Sequence, residues 1–117
     1  MDIKQPYNIN IAGEAAVLAA LRHKNVLMER AGTLIEQRRR LEEWISDIVG
    51  VSYFPSEGNF LLCNFERLTA DEVYIGLAKQ GIFVRRFPQN VLKNSLRISS
   101  GTSEQTDRLI NALKNVV

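Results

Sequence analysis

The apolar pattern of this chain changes period at Gly50, and that change limits the fold more than any other feature. Before it, Leu27, Ala31, Leu34, Leu41, Ile45 and Ile48 recur at helical spacing and predict a buried stripe on a helix from about Val26 to Ile48. A preceding helix is expected from about Ile11, where Ala12, Ala15, Ala16, Ala19 and Ala20 make a small, helix-favouring face that another element can approach closely. The two stretches could join as one long bent helix. Residues 1–10 read as extended, since Pro6 disfavours helical angles at Gln5.

After Gly50 the segments are short and alternate in type. Val51 to Phe54 suits a strand ended by Pro55, and Asn59 to Phe65 suits a strand apolar on both faces, hence central. Thr69 and Glu72 have the spacing of a capping box, opening a helix that turns Val73, Leu77 and Ala78 inward and stops at Gly81. Ile82 to Phe87 is expected as a strand, Pro88 to Asn94 as a loop and Ser95 to Ser100 as a further strand. Gly101 ends it. Thr102 with Gln105 forms a second capping box before a helix carrying Leu109, Ile110, Leu113 and Val117 on one side. The order ααββαββα predicts an α/β fold of the α+β type. Its sheet is small and mostly antiparallel, with helices packed mainly on one face, in a single domain over residues 1–117.

Several function classes are excluded or weakened. A net charge of +2 argues against nucleic acid as a partner. Arg38, Arg39 and Arg40 point three ways on a helix and are expected on a solvated face. Cys63 is the only cysteine and lies in an apolar run, which suits a buried small hydrophobe in a reducing compartment. His23 is the only histidine, so no His cluster for zinc is available and no Ser/His/Asp triad is expected around an obvious base; its place between Arg22 and Lys24 suits a solvated helix end. No glycine-rich phosphate loop, no metal site and no catalytic residue is expected. No apolar stretch approaches the roughly 20 residues that span a bilayer. With no signal-peptide pattern either, the chain is expected in the cytoplasm, away from membranes.

One pair of residues points to chemistry. With a period of two, Ile82 and Val84 facing the helices place Phe83 and Arg85 on the other side. Leu96 and Ile98 facing the helices place Arg97 and Ser99 there as well. Two guanidinium groups on one face repel unless solvent or anions lie between them. Their fork geometry suits carboxylate or phosphate. The alternative is a pair of ordinary exposed arginines. Arg86, in the inward phase at a strand end, is expected to swing out to solvent.

The segments PYNIN at 6–10, PSEGNFLLCNF at 55–65, GIFVRRF at 81–87 and LRISSGTSEQTDRLINAL at 96–113 resemble the histidinol-phosphate aminotransferase family in order and spacing, over nearly the whole chain. The resemblance implies a C-terminal small domain that closes over substrate, with residues 1–10 crossing from a large domain that holds pyridoxal phosphate. It implies that Arg97 binds the substrate α-carboxylate and Arg85 the substrate phosphate. Tyr7, Asn8 and Asn59 match family positions that line the active site or shape the backbone beside it. The implied partners are the large domain, an amino-acid substrate and a second copy of the parent enzyme. The implied reaction transfers an amino group from L-histidinol phosphate to 2-oxoglutarate in histidine synthesis. A related aromatic or phospho-amino-acid aminotransferase or decarboxylase, and a stand-alone anion- or partner-binding module, remain alternatives.

The family's Schiff-base lysine and cofactor-binding residues lie upstream of the PYN segment. Lys4, Lys24, Lys79, Lys93 and Lys114 lack that context. The chain by itself is therefore expected to bind no cofactor and to be inactive.

Overall fold

A computed structural model describes residues 10–117; Tyr7 and Asn8 lie outside the described residues. The chain divides into two compact units, residues 1–31 and 32–117.

In the first unit, α1 spans Ile11–Arg22. Asn10 caps it, its side-chain oxygen accepting from the Gly13 amide at 2.7 Å. The helix breaks only at His23, whose amide donates to the Ala20 carbonyl and whose own carbonyl accepts from Val26 as α2, Lys24–Ser46, begins. His23 is thus an exposed helix-end residue, as its neighbours suggested. The alanine face of α1 buries nothing among the described residues. Leu27 and Ala31, expected in the buried stripe, are exposed too. The stripe becomes real only further along α2, where Leu41 and Ile45 are fully buried and Leu34 and Ile48 half-buried.

The second unit holds a four-stranded antiparallel sheet in the order β1-β2-β4-β3. Its strands are β1 Val51–Phe54, β2 Phe60–Phe65, β3 Arg85–Arg86 and β4 Ser95–Ser99. Between β2 and β3 lies α3, Ala70–Lys79; after β4 comes α4, Ser103–Lys114. Both capping boxes form: Thr69 with Glu72 opens α3, and Thr102 with Gln105 opens α4. One sheet face carries Leu61, Cys63, Phe65, Leu96 and Ile98 into a core with Leu41 and Ile45 of α2, Val73 and Leu77 of α3, and Leu109, Ile110 and Leu113 of α4. Each large buried side chain contributes on the order of 1.5–3 kcal/mol of transfer free energy. Burial of Cys63 pushes its thiol up to about 12 by desolvation, so it behaves as a core atom.

Three expectations change. The strand β2 is central, but only one of its faces is buried; Phe60 is exposed and Leu62 half-buried on the other. The expected strand from Ile82 to Phe87 shrinks to Arg85–Arg86. After α3 the chain turns at Gly81, in the left-handed region at φ +74°, and residues 82–84 run past β4 without joining the ladder before Pro88 leads away. The third change concerns Arg38, which is buried rather than solvated. It forms an ion pair with Glu42 at 2.6 Å and donates from Nη1 to the Ser56 carbonyl. Arg40 is half-exposed and pairs with Asp107 of α4; only Arg39 is without such a role.

Candidate functional site

The sheet face opposite the core holds the site. Register sets it: Arg85 of β3 stands directly across from Arg97 of β4, and Arg97 is in turn across from Leu62 of β2. Directly opposed residues in an antiparallel pair share a face, with Cβ atoms roughly 4.5–5.5 Å apart. Both arginines are exposed, whereas Leu96 and Ile98, flanking Arg97, are buried on the other side. The two-residue ladder of β3 is therefore long enough for what matters, because it fixes the phase of Arg85.

Arg86, the next residue, goes the other way. It forms an ion pair with Asp71 of α3 at 2.9 Å, and its guanidinium carbon lies 5.7 Å from the centre of the Tyr74 ring. It reaches the surface, as expected, but is held against α3 rather than left to solvent.

Each of the two opposed arginines rests on an aromatic ring. Arg97 lies 5.1 Å from the centre of Phe60, and Arg85 lies 6.0 Å from the centre of Phe87. A guanidinium over an aromatic face gains cation–π attraction and keeps its N–H edges free to donate. No carboxylate neutralises either arginine among the described residues, whereas Arg38, Arg40 and Arg86 each have an acidic partner. An open groove of about 600 Å³ runs beside the pair, where residues 81–84 part from β4; its walls include Val84, Arg85, Arg97, Ser99, Gly101 and Arg108. The arrangement can hold two anionic groups, or one ligand with two acidic ends, by bidentate hydrogen bonds.

Asn59 lies just before β2 and is exposed. Its carbonyl accepts from the Ser100 amide at 2.8 Å and from the Ser100 hydroxyl at 3.1 Å. That hydroxyl also lies 3.2 Å from the Leu34 carbonyl. The backbone of Asn59 thus ties β2 to the end of β4. Phe60 escaped the sequence reading as a site residue. The signal was present in the alternation of β2, which puts Phe60 and Leu62 opposite Leu61 and Cys63 and so on the face of Arg97.

The described residues do not fit pyridoxal phosphate. Lys24, Lys79, Lys93 and Lys114 are all exposed, so none is enclosed by the walls that a covalently held cofactor needs. No group of metal-ligating side chains occurs among the described residues, and no helix there is long and apolar enough to cross a membrane.

No family model matches the chain. It is 41% identical over 116 residues to a histidinol-phosphate aminotransferase of Thermoanaerobacter sp. strain X514, covering 98% of this chain and 32% of that protein. Among solved structures it resembles histidinol-phosphate aminotransferase from Sinorhizobium meliloti in complex with pyridoxal-5'-phosphate, with TM-score 0.76 and 29% identity over 89% of this chain and 29% of that one. It also resembles a decarboxylase from Sulfurospirillum multivorans, with TM-score 0.77 and 27% identity over 94% of this chain and 33% of that one. The chain spans about a third of the length of the curated relatives it matches.

Proposed function

From its similarity to curated histidinol-phosphate aminotransferases, we propose that the chain belongs to that family as the C-terminal small domain of such an enzyme, closing over the substrate. Residues 1–10 are the crossover from a large domain that binds pyridoxal phosphate. The parent enzyme is a cytoplasmic homodimer that transfers an amino group between L-histidinol phosphate and 2-oxoglutarate. The observation that carries this reading is the cross-strand pair of unneutralised arginines, Arg85 and Arg97, on the open sheet face.

In this reading Arg97 takes the α-carboxylate of the amino or oxo acid, and Arg85 takes the phosphate of histidinol phosphate, which is carried on the carbon that replaces that carboxylate, so the two arginines serve the same end of the substrate. The cofactor supplies the electron sink for amino transfer when it is bound to the large domain. The residues of this chain bind and orient. Two arginines on adjacent strands fix the anionic end of the ligand, and orientation alone can account for several kcal/mol of a reaction barrier. Docking of the large domain over the open face would then strengthen each charged hydrogen bond by excluding water.

A decarboxylase reading is favoured by one observation, the solved decarboxylase among the structural neighbours. Both readings are tested by joining this chain to the cofactor-binding part of a family member. Formation of glutamate from 2-oxoglutarate with histidinol phosphate as donor supports the transferase reading. Release of carbon dioxide from an amino-acid substrate without net amino transfer overturns it.

A further inference from the structure

Arg97 depends on a ring whose own seat is built by residues that touch no ligand. The ring of Phe60 lies under the Arg97 guanidinium. Gly58 backs that ring: a Cβ at position 58 would come within 3.3 Å of the Phe60 ring carbon Cε1 and 3.5 Å of the Ser56 hydroxyl oxygen. The Ser56 hydroxyl accepts from the Gly58 amide at 3.1 Å, which folds the loop tightly. The Ser56 carbonyl, in turn, accepts from Arg38 of α2. Arg38 is buried, paired with Glu42, and its Nε has no partner among the described residues. A buried guanidinium with one unsatisfied N–H is costly unless its position is useful elsewhere. The links run from α2 to the site: Arg38 to Ser56 and Ser56 to Gly58 by hydrogen bonds, Gly58 to Phe60 along the chain, and Phe60 to Arg97 through the ring.

We propose that Arg38 and Gly58 are positioning residues for the carboxylate-binding arginine, acting through the 56–60 loop to hold the Phe60 ring as the platform on which Arg97 lies. The proposal rests on the reading of Arg97 as an anion-binding group, but its mechanical part stands separately. Without the anchor, the loop and ring gain freedom, and Arg97 samples many orientations in place of one with its N–H edge presented. Arg97 then loses entropy on binding that it would otherwise have lost on folding.

The experiment follows the Nε–H resonance of Arg97 in the full chain by NMR, together with its titration by glutarate. A guanidinium over a ring shows an upfield ring-current displacement, assigned by its disappearance in Arg97→Lys. Phe60→Leu should abolish it and Phe60→Tyr should retain it. Arg38→Met, which keeps most of the stem, and Gly58→Ala should each reduce it while the core methyl resonances stay in place. The same two variants should bind glutarate roughly three- to tenfold more weakly. A displacement unchanged in both overturns the proposal. If Arg38→Met unfolds the chain, Gly58→Ala alone decides. If the displacement responds as expected but Arg97→Ala still binds glutarate at full strength, the carboxylate assignment has failed and the positioning has not.

Discussion

Arg85 and Arg97 stand directly opposite each other across the β3–β4 pair with no acid between them. Like charges opposed on adjacent strands destabilise a sheet, by about 1–3 kcal/mol for unit charges near 5 Å at the dielectric of a protein surface. Here the two guanidinium groups spread onto separate rings, Phe87 and Phe60, which relieves part of that repulsion. On the proposed reading, an anion completes the pair.

The unliganded chain should therefore be slightly too highly charged at this face for its own stability. Arg85→Gln is expected to leave stability unchanged or raise it by about 0.5–1 kcal/mol in low salt. Phosphate or glutarate should raise the melting temperature of the native chain, with the gain following the logarithm of ligand concentration. That gain should largely vanish in Arg85→Gln. Thermal melts across a ligand series check this; equal stabilisation of both proteins would place anion binding elsewhere.

Cys63 offers a test of the core. Its thiol is raised to about 12 by burial, so the folded state keeps it neutral while the unfolded state ionises near the ordinary thiol value of about 8.5. The sign is that of a raised acid: this contribution is whole below about pH 8.5 and is lost as pH climbs towards 12. Native chain at pH 8 should react with an aromatic disulfide only as fast as it unfolds, and in urea the thiol should titrate at once. Rapid labelling of folded protein would show that the β2 core is open.

The first turn of α3 should be sensitive to acid. Glu72 has its carboxyl lowered first by the Thr69 backbone amide and then by the Thr69 hydroxyl. A lowered carboxyl stabilises the fold above its unfolded pKa and ceases to do so as pH falls through the folded value. Denaturation curves should thus shift to lower urea between about pH 5 and 3, more for the native chain than for Glu72→Gln. Thr69→Ala, which removes the cap itself, should cost about 1 kcal/mol at neutral pH. Identical acid dependence in native chain and Glu72→Gln would remove the capping box from the stability of α3.

Local rules made much of this legible in advance. The two capping boxes, the break at Gly50 and the alternation Leu96-Arg97-Ile98 need only neighbours three residues away or a period of two, and each stands as read. What failed depends on distant chain. The stripe on α2 continues towards Leu27, but a period cannot say where its cover ends. Three consecutive arginines look solvated until Ser56, 18 residues on, brings its carbonyl to Arg38. Residues 82–84 have the composition of a strand, yet the path leaving Gly81 keeps them off the β4 edge. Phe60 became a site residue only once the register set it beside Arg97, since the contact spans strands that are far apart in sequence.

The two-arginine account is tested most directly by kcat/KM for histidinol phosphate, glutamate and phenylalanine in a complete enzyme carrying this chain, as native protein, Arg85→Ala and Arg97→Ala. Arg97→Ala should weaken glutamate and phenylalanine by roughly 10- to 150-fold, the loss of a charged hydrogen bond of about 1.5–3 kcal/mol. Histidinol phosphate, with a phosphate ester in place of the α-carboxylate, keeps Arg85 as a partner and should lose less. Arg85→Ala should weaken histidinol phosphate, whose phosphate it holds, far more than glutamate or phenylalanine, whose α-carboxylate Arg97 holds. An equal loss for all three donors in Arg85→Ala, or undiminished glutamate turnover in Arg97→Ala, would contradict it.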